Sequence, residues 1–296
     1  MIRASTYAAC ALLLLASCGG SGPEAYVFMV DHSFRAELVG GSEAGFAAPD
    51  ALVWHHGGLL IADEGGSAIR YWRPGGPVQT LAGPGQGLRS PEDMAVDGAG
   101  NIYFSDDDAG GVRRIDAQRR TTWLAPPGRG LRSSEGLALA PSGRILVGDQ
   151  RDHRIYAVAP DGNAATFIGP EAGIGKPESM AFDAEGNLYV ADNEADILYL
   201  ITRDGRLHRP VAGREGFSPE SLTFADGALY ITDSRNGTLH RYSPRDGLSA
   251  VAVFTGELAN VQGIAADPAG NLYVSVQASL DEGRGYILRL SRQRRP

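Results

Sequence analysis

Pro177-Glu178-Ser179-Met180-Ala181-Phe182-Asp183-Ala184-Glu185-Gly186-Asn187-Leu188-Tyr189-Val190-Ala191-Asp192 decides the fold, because the chain repeats its pattern. Pro91-Glu92-Asp93-Met94-Ala95-Val96-Asp97-Gly98-Ala99-Gly100-Asn101-Ile102-Tyr103-Phe104-Ser105-Asp106 is a second clear copy. The closing aspartate recurs as Asp63, Asp106, Asp149, Asp192 and Asp233, and Val276 takes its place in the sixth copy. Successive spacings are 43, 43, 43, 41 and 43 residues. A period of about 40–50 residues built from short strands is the mark of propeller blades. The prediction is an all-β, six-bladed β-propeller of four-stranded antiparallel blades.

Outward from this stretch, the fourth copy resolves into four strands, at 179–183, 188–191, 197–201 and 207–212. The first two are joined by Ala184-Glu185-Gly186-Asn187. The last two are joined by Arg203-Asp204-Gly205-Arg206, with glycine for the positive φ of a hairpin turn. The sixth copy stops after its third strand, near Leu290. The segment 34–39 is predicted to supply the missing outer strand and close the ring, since an open ring leaves unpaired strand edges. The strand-like piece at 26–30 is left over, as a fifth strand or as part of the last blade.

The beginning of the chain reads differently. Arg3 precedes an apolar run at 8–16, shorter than the roughly 20 residues a membrane-spanning helix needs. Residues 1–17 are predicted to be a secretory leader. Leu15-Ala16-Ser17-Cys18 has the form of a bacterial lipoprotein box, with Cys18 as the lipidated residue and 18–25 as a flexible tether to the propeller at 26–296. The expected location is the bacterial cell envelope, held by the lipid alone, with the outer membrane favoured because Gly19 carries no inner-membrane retention signal. Cys10 and Cys18 are the only cysteines, so the propeller has no disulfide, thiol nucleophile or thiolate metal site. The net charge is -8 and no basic stripe is present, which argues against nucleic acid. Arg289, Arg292, Arg294 and Arg295 read as a solvated tail. A monomer is expected.

In a propeller the links between blades and the loops after each second strand emerge on one face. Here the blade starts read Asp50, Glu92-Asp93, Glu135, Glu178, Glu220 and Gln262. The loops add Glu64, Asp107, Asp108, Asp152, Asn193, Glu194, Asp196, Asn236, Asp281 and Glu282. Such a ring has three readings. It holds a hard cation, Ca2+ fitting an all-oxygen set better than zinc. It attracts a cationic ligand or partner. Or each glutamate bonds backbone N–H groups of the neighbouring link and each aspartate caps the loop after its own strand. The repeated strand-end aspartates are expected to be structural. Glu92, Asp93, Glu135, Glu178 and Glu220, with Gln262, are the candidate ligand or metal residues. His55-His56 falls at a turn on the opposite face, and His153 and His240 read as packing or surface residues. Ser179 and Ser221 lack the elbow of a serine hydrolase. Trp54, Trp72 and Trp123 are expected to pack between blades.

The pattern Leu81-Ala82-Gly83, Gly87-Leu88, Ser90-Pro91-Glu92 and Asp106 resembles NHL-repeat proteins, with Asp149-Gln150-Arg151-Asp152-His153-Arg154-Ile155 nearest to their namesake motif. Pro177-Glu178-Ser179-Met180-Ala181-Phe182-Asp183 and Pro219-Glu220-Ser221-Leu222-Thr223-Phe224 are similar to segments of the SMP-30/gluconolactonase-like and strictosidine-synthase-like propellers. The lactonases of that group hold a divalent metal with a Glu, an Asn and an Asp from different blade starts. Here the first blade opens Pro49-Asp50 and no blade start supplies the Asn, so that set does not carry over residue by residue. The leading expectation is a lipid-anchored, NHL-type module that binds an envelope protein or a small molecule on its acidic face. The alternative is a calcium-dependent lactonase-like hydrolase.

Overall fold

A computed structural model describes residues 12–14, 26–279 and 283–293. Cys18, Asp281, Glu282, Arg294 and Arg295, and the leader apart from 12–14, lie outside the described residues. Six antiparallel sheets form the ring. Each runs from an inner strand a to an outer strand d. Blade 1 is Pro49–His55, Gly58–Asp63, Ala68–Trp72 and Gln79–Ala82. Blade 2 is Pro91–Val96, Ile102–Asp106, Gly111–Ile115 and Thr121–Ala125. Blade 3 is Leu137–Leu139, Ile145–Asp149, Arg154–Val158 and Ala164–Ile168, and blade 4 is Pro177–Phe182, Leu188–Asp192, Ile197–Ile201 and Leu207–Val211. Blade 5 is Pro219–Ala225, Ala228–Asp233, Thr238–Ser243 and Gly247–Phe254. Blade 6 takes Val261–Ala266, Leu272–Ser279 and Arg284–Arg292 from the end of the chain and Phe34–Gly40 from its beginning.

The ring closes as the sequence predicts. Phe34–Gly40 pairs antiparallel with Arg284–Arg292, with Ala36 opposite Leu290. The leftover piece, Tyr26–Met29, is a fifth strand, and it extends blade 5 rather than blade 6. Val27 and Met29 are buried against Ala252 and Phe254, which is why this short segment holds its place. Leu12–Leu14 pairs in turn with the outer edge of Tyr26–Met29.

The turns between strands a and b show how the repeat is written. Asp183 Oδ1 accepts the N–H groups of Glu185 and Asn187, and its Oδ2 takes the Asn187 amide. Asp97 with Asn101 and Asp267 with Asn271 form the same turn. Gly186, at φ 83°, supplies a left-handed residue that a side chain would strain. Every residue of strand b is buried in blades 1, 3, 4 and 5. The apolar side chains pack between neighbouring blades: Leu60 and Ile69 of blade 1 meet Met94 and Phe104 of blade 2. At the closure, Leu59, Ile61 and Trp72 of blade 1 meet Tyr273 and Ile287 of blade 6. Burying each such side chain contributes about 1.5–3 kcal/mol. Trp54 stacks on Tyr273 at 5.1 Å, so Trp54 and Trp72 do pack between blades. Trp123 does not; it lies 37% exposed on an outer strand beneath the Arg113 guanidinium.

Candidate functional site at the acidic channel mouth

The strand-end aspartates are staples. Asp63 Oδ1 accepts the N–H groups of Ala47 and Ala48 at 3.0 and 2.8 Å. Asp106 does the same for Arg89 and Ser90, Asp149 for Arg132 and Ser133, and Asp192 for Gly175 and Lys176. Each carboxylate thus fixes the link that leads into its own blade's inner strand. Arg70 and Arg113 take the free oxygens of Asp63 and Asp106. In blade 5 the partner of Asp233 is His240 Nε2, at 3.3 Å. The structural expectation for this series holds, and His240 is a buried packing residue.

With the links pinned, the blade starts converge. Asp50, Glu92, Glu135, Glu178 and Glu220 line one space at the channel mouth, with Asp93, Ser179 and Ser221 among its walls. That space measures about 20 Å³, room for a single ion or water. Below it the channel is lined by the inner strands, including Leu52, Met94, Leu137, Met180, Leu222 and Ile264. Among the described residues, the mouth carboxylates have side-chain partners instead of backbone amides. Ser90 Oγ donates to Glu92 at 2.8 Å. Gln150 Nε2 donates to Glu135. Asn193 Nδ2 and Ser234 Oγ donate to Glu220 at 3.2 and 2.6 Å. Lys176 Nζ lies 2.9 Å from Glu178 and 3.8 Å from Glu135.

Two predicted members are turned to other partners. Asp93 turns below the ring and accepts the N–H groups of Leu137 and Met94 at 3.0 and 2.7 Å. Ser179 and Ser221 occupy the same repeat position and likewise accept an N–H from the next blade, of Leu222 and Ile264. Asp93 is therefore an interblade tie. Gln262 is drawn aside to Asn260 Oδ1, at 2.7 Å. Glu92, Glu135, Glu178 and Glu220 do share the mouth.

Three further residues belong there. Asp50 and Glu64 join Glu92, each offering an oxygen within 4.8 Å of the others. Glu64 follows Asp63; the matching residues after the other strand-end positions are Asp107, Gln150, Asn193, Ser234 and Gln277. Most of these are neutral donors, and Gln150, Asn193 and Ser234 satisfy inner-ring acids. The acidic ones, Glu64 and Asp107, fall in blades 1 and 2. Asp107 is already taken by Ser133 Oγ and the Ser134 N–H. Lys176 is the third addition. Its counterparts two residues before the other blade-start acids are Ala48, Ser90, Ser133 and Ser218, and this break in the repeat was the available signal.

The electrostatics follow from crowding like charges in a small buried space. Burial pushes Asp50 well above the usual carboxylate range, and the neighbouring Glu92 adds to it. Burial also raises Glu92, against the hydrogen bond it shares with Asp50. Burial lifts Glu135 to about 7 despite the opposing charge of Lys176. Burial and the charge of Glu220 raise Glu178. Asp93 is lifted to about 7 by burial, against its backbone donors. Carboxyl groups this close disfavour each other's ionisation, and a proton held between Asp50 and Glu92 relieves that repulsion. A divalent cation can take that proton's place. Three converging carboxylates are the hard-oxygen set that suits Ca2+.

The family described as SMP-30/Gluconolactonase/LRE-like region matches residues 30–213, more than half of the chain. The chain belongs to this family. A search of curated proteins finds no match. Among solved structures, the family fold is shared by a gluconolactonase from Xanthomonas campestris, at 18% identity over 90% of both chains and a TM-score of 0.68. A calcium-binding regucalcin from Agrobacterium tumefaciens is 16% identical over 89% of this chain and 97% of that one, with a TM-score of 0.66. Virginiamycin B lyase from Staphylococcus aureus is 14% identical over 87% and 99%, with a TM-score of 0.67. At these identities the likeness is one of fold.

Proposed function

We propose that this chain is a divalent-cation-dependent hydrolase of lactone-class esters. The observation that carries the reading is the convergence of Asp50, Glu64 and Glu92 beside the small space at the channel mouth that Asp50 and Glu92 help to line, in a chain of the SMP-30/gluconolactonase family. Family membership favours this over the non-enzymatic binding module. Asp50, Glu64 and Glu92 would hold the cation, which in such a site polarises an ester carbonyl and acidifies water. Glu135 is the general base. Its carboxyl, at about 7, is matched to proton transfer near neutral pH. Gln150 fixes its orientation from one side. Glu135 takes a proton from the attacking water; a C–O bond forms at the carbonyl carbon and the ring C–O bond breaks. The same proton passes to the leaving alkoxide, leaving a hydroxy acid. The surrounding carboxylates favour a neutral lactone as substrate and repel the anionic product.

The test is hydrolysis of a panel of neutral sugar lactones with Ca2+ and after chelation. Turnover that vanishes with the ion, and in Asp50→Asn, supports the reading. Turnover indifferent to both contradicts it. The cellular setting is proposed from the sequence alone: Cys18 carries lipid and holds the propeller in the envelope. Mass spectrometry of the processed N-terminus checks it; an unmodified Cys18 in the exported chain contradicts it.

A further inference from the structure

Lysine is almost absent from this chain. Of its 27 lysine and arginine residues only Lys176 is lysine. Arginine makes other ion pairs of the fold, as Arg70 does with Asp63, Arg113 with Asp106 and Arg292 with Asp226. The lone ammonium stands instead at the channel mouth, one residue before strand a of blade 4. It lies 2.9 Å from Glu178 and 3.8 Å from Glu135. Arginine is a planar fork, whereas an ammonium is a compact point charge with rotatable donors, the side chain that most resembles a bound ion. The ring is thereby divided. On the blade 1 and 2 side, Asp50, Glu64 and Glu92 converge without a basic partner among the described residues. On the blade 3 and 4 side, Glu135 and Glu178 converge on Lys176.

We infer that Lys176 is a resident cation that occupies the Glu135–Glu178 compartment in place of a metal and so limits the ring to one exchangeable ion. This rests on the hydrolase reading for the ion at Asp50, Glu64 and Glu92. Lys176 is a positioning residue. By setting its charge close to Glu178 and farther from Glu135, it keeps Glu135 from becoming a metal ligand and leaves its carboxyl free to accept a proton. A metal in the same compartment would bind Glu135 directly and remove it as a base.

The experiment is Ca2+ stoichiometry by calorimetry on the chelator-stripped chain, comparing the native sequence with Lys176→Met and Lys176→Arg. The inference expects one ion in the native chain, two in Lys176→Met and one in Lys176→Arg, the new site with a Kd of about 10⁻⁴–10⁻³ M. An unchanged count in folded Lys176→Met overturns the inference. No ion in the native chain but one in Lys176→Met overturns the Asp50–Glu64–Glu92 site and sustains the lysine's role. No ion in either overturns both. Because Lys176→Met leaves two acids without a counter-charge, a second measurement uses the native chain. Reductive ¹³C-methylation labels a single lysine, and the methyl resonance is followed with pH. Held between two carboxylates, it should show no deprotonation step through the ordinary lysine range near about 10.4. A step in that range overturns the inference.

Discussion

Asp106 gathers two backbone N–H groups and the Arg113 guanidinium, whereas Glu92, in the same blade, meets only side chains. That difference in partners, more than residue type, separates the acids that tie the backbone from those that line the mouth. Removing the Asp106 carboxylate leaves the buried Arg113 guanidinium without its counter-charge and the amides of Arg89 and Ser90 without their acceptor. Asp106→Ala is expected to destabilise the propeller by about 3–5 kcal/mol, read from the urea midpoint. Glu135→Gln should leave the fold and ion affinity intact and lower kcat by about 10²–10⁴-fold on any lactone that is turned over. A Glu135→Gln enzyme with native kcat would remove Glu135 from the mechanism. At this scale the sequence was only partly legible. The strand-end aspartates were readable as structural because they recur in five copies, but as caps of their own loops; that four of them tie the preceding link was not readable. Asp93 broke the repeat and read as a site residue, yet it makes the interblade tie that serine makes at Ser179 and Ser221. What decides its role is the Leu137 N–H of the next blade, which no linear pattern displays.

Strands and turns were legible for a local reason. Turns such as Asp97 to Asn101 and Asp183 to Asn187 satisfy their own amides within five residues, so they mark each hairpin without help from the rest of the fold. Ring closure was legible by subtraction, since the sixth copy lacks a fourth strand. The partner of Tyr26–Met29 was not, because its choice of blade 5 depends on Ala252 and Phe254, far away in sequence. These strands should differ in consequence. A chain beginning at Asp31 loses the fifth strand and should keep a cooperative thermal transition at a lower Tm. A chain beginning at Gly41 loses the closing strand as well and should lose cooperative unfolding. Equal melting of the two would contradict closure by Phe34–Gly40.

Across the whole molecule, the acidic mouth couples stability to pH. Glu135 and Asp93 are raised to about 7 by burial, so between about pH 4 and 7 the folded chain binds more protons than the unfolded one. Their contribution is fully present below the ordinary carboxylate range and is lost as pH rises through about 7. The ion-free protein should therefore melt at a higher temperature at pH 5 than at pH 8. Ca2+ should raise Tm most at pH 8, where it need not compete with protons. The spatial grouping of the mouth was the least legible feature, because Asp50, Glu64 and Glu92 come from a blade start, a loop and the next blade's start. Their neighbourhood exists only once blades 1 and 2 have packed side by side. The most direct measurement is a crystal structure grown with Ca2+ and repeated with a lanthanide whose anomalous scattering marks its place. One ion is expected to touch Asp50, Glu64 and Glu92, with Lys176 still between Glu135 and Glu178. An ion among Glu135, Glu178 and Glu220, or no ion at saturating concentration, would contradict it.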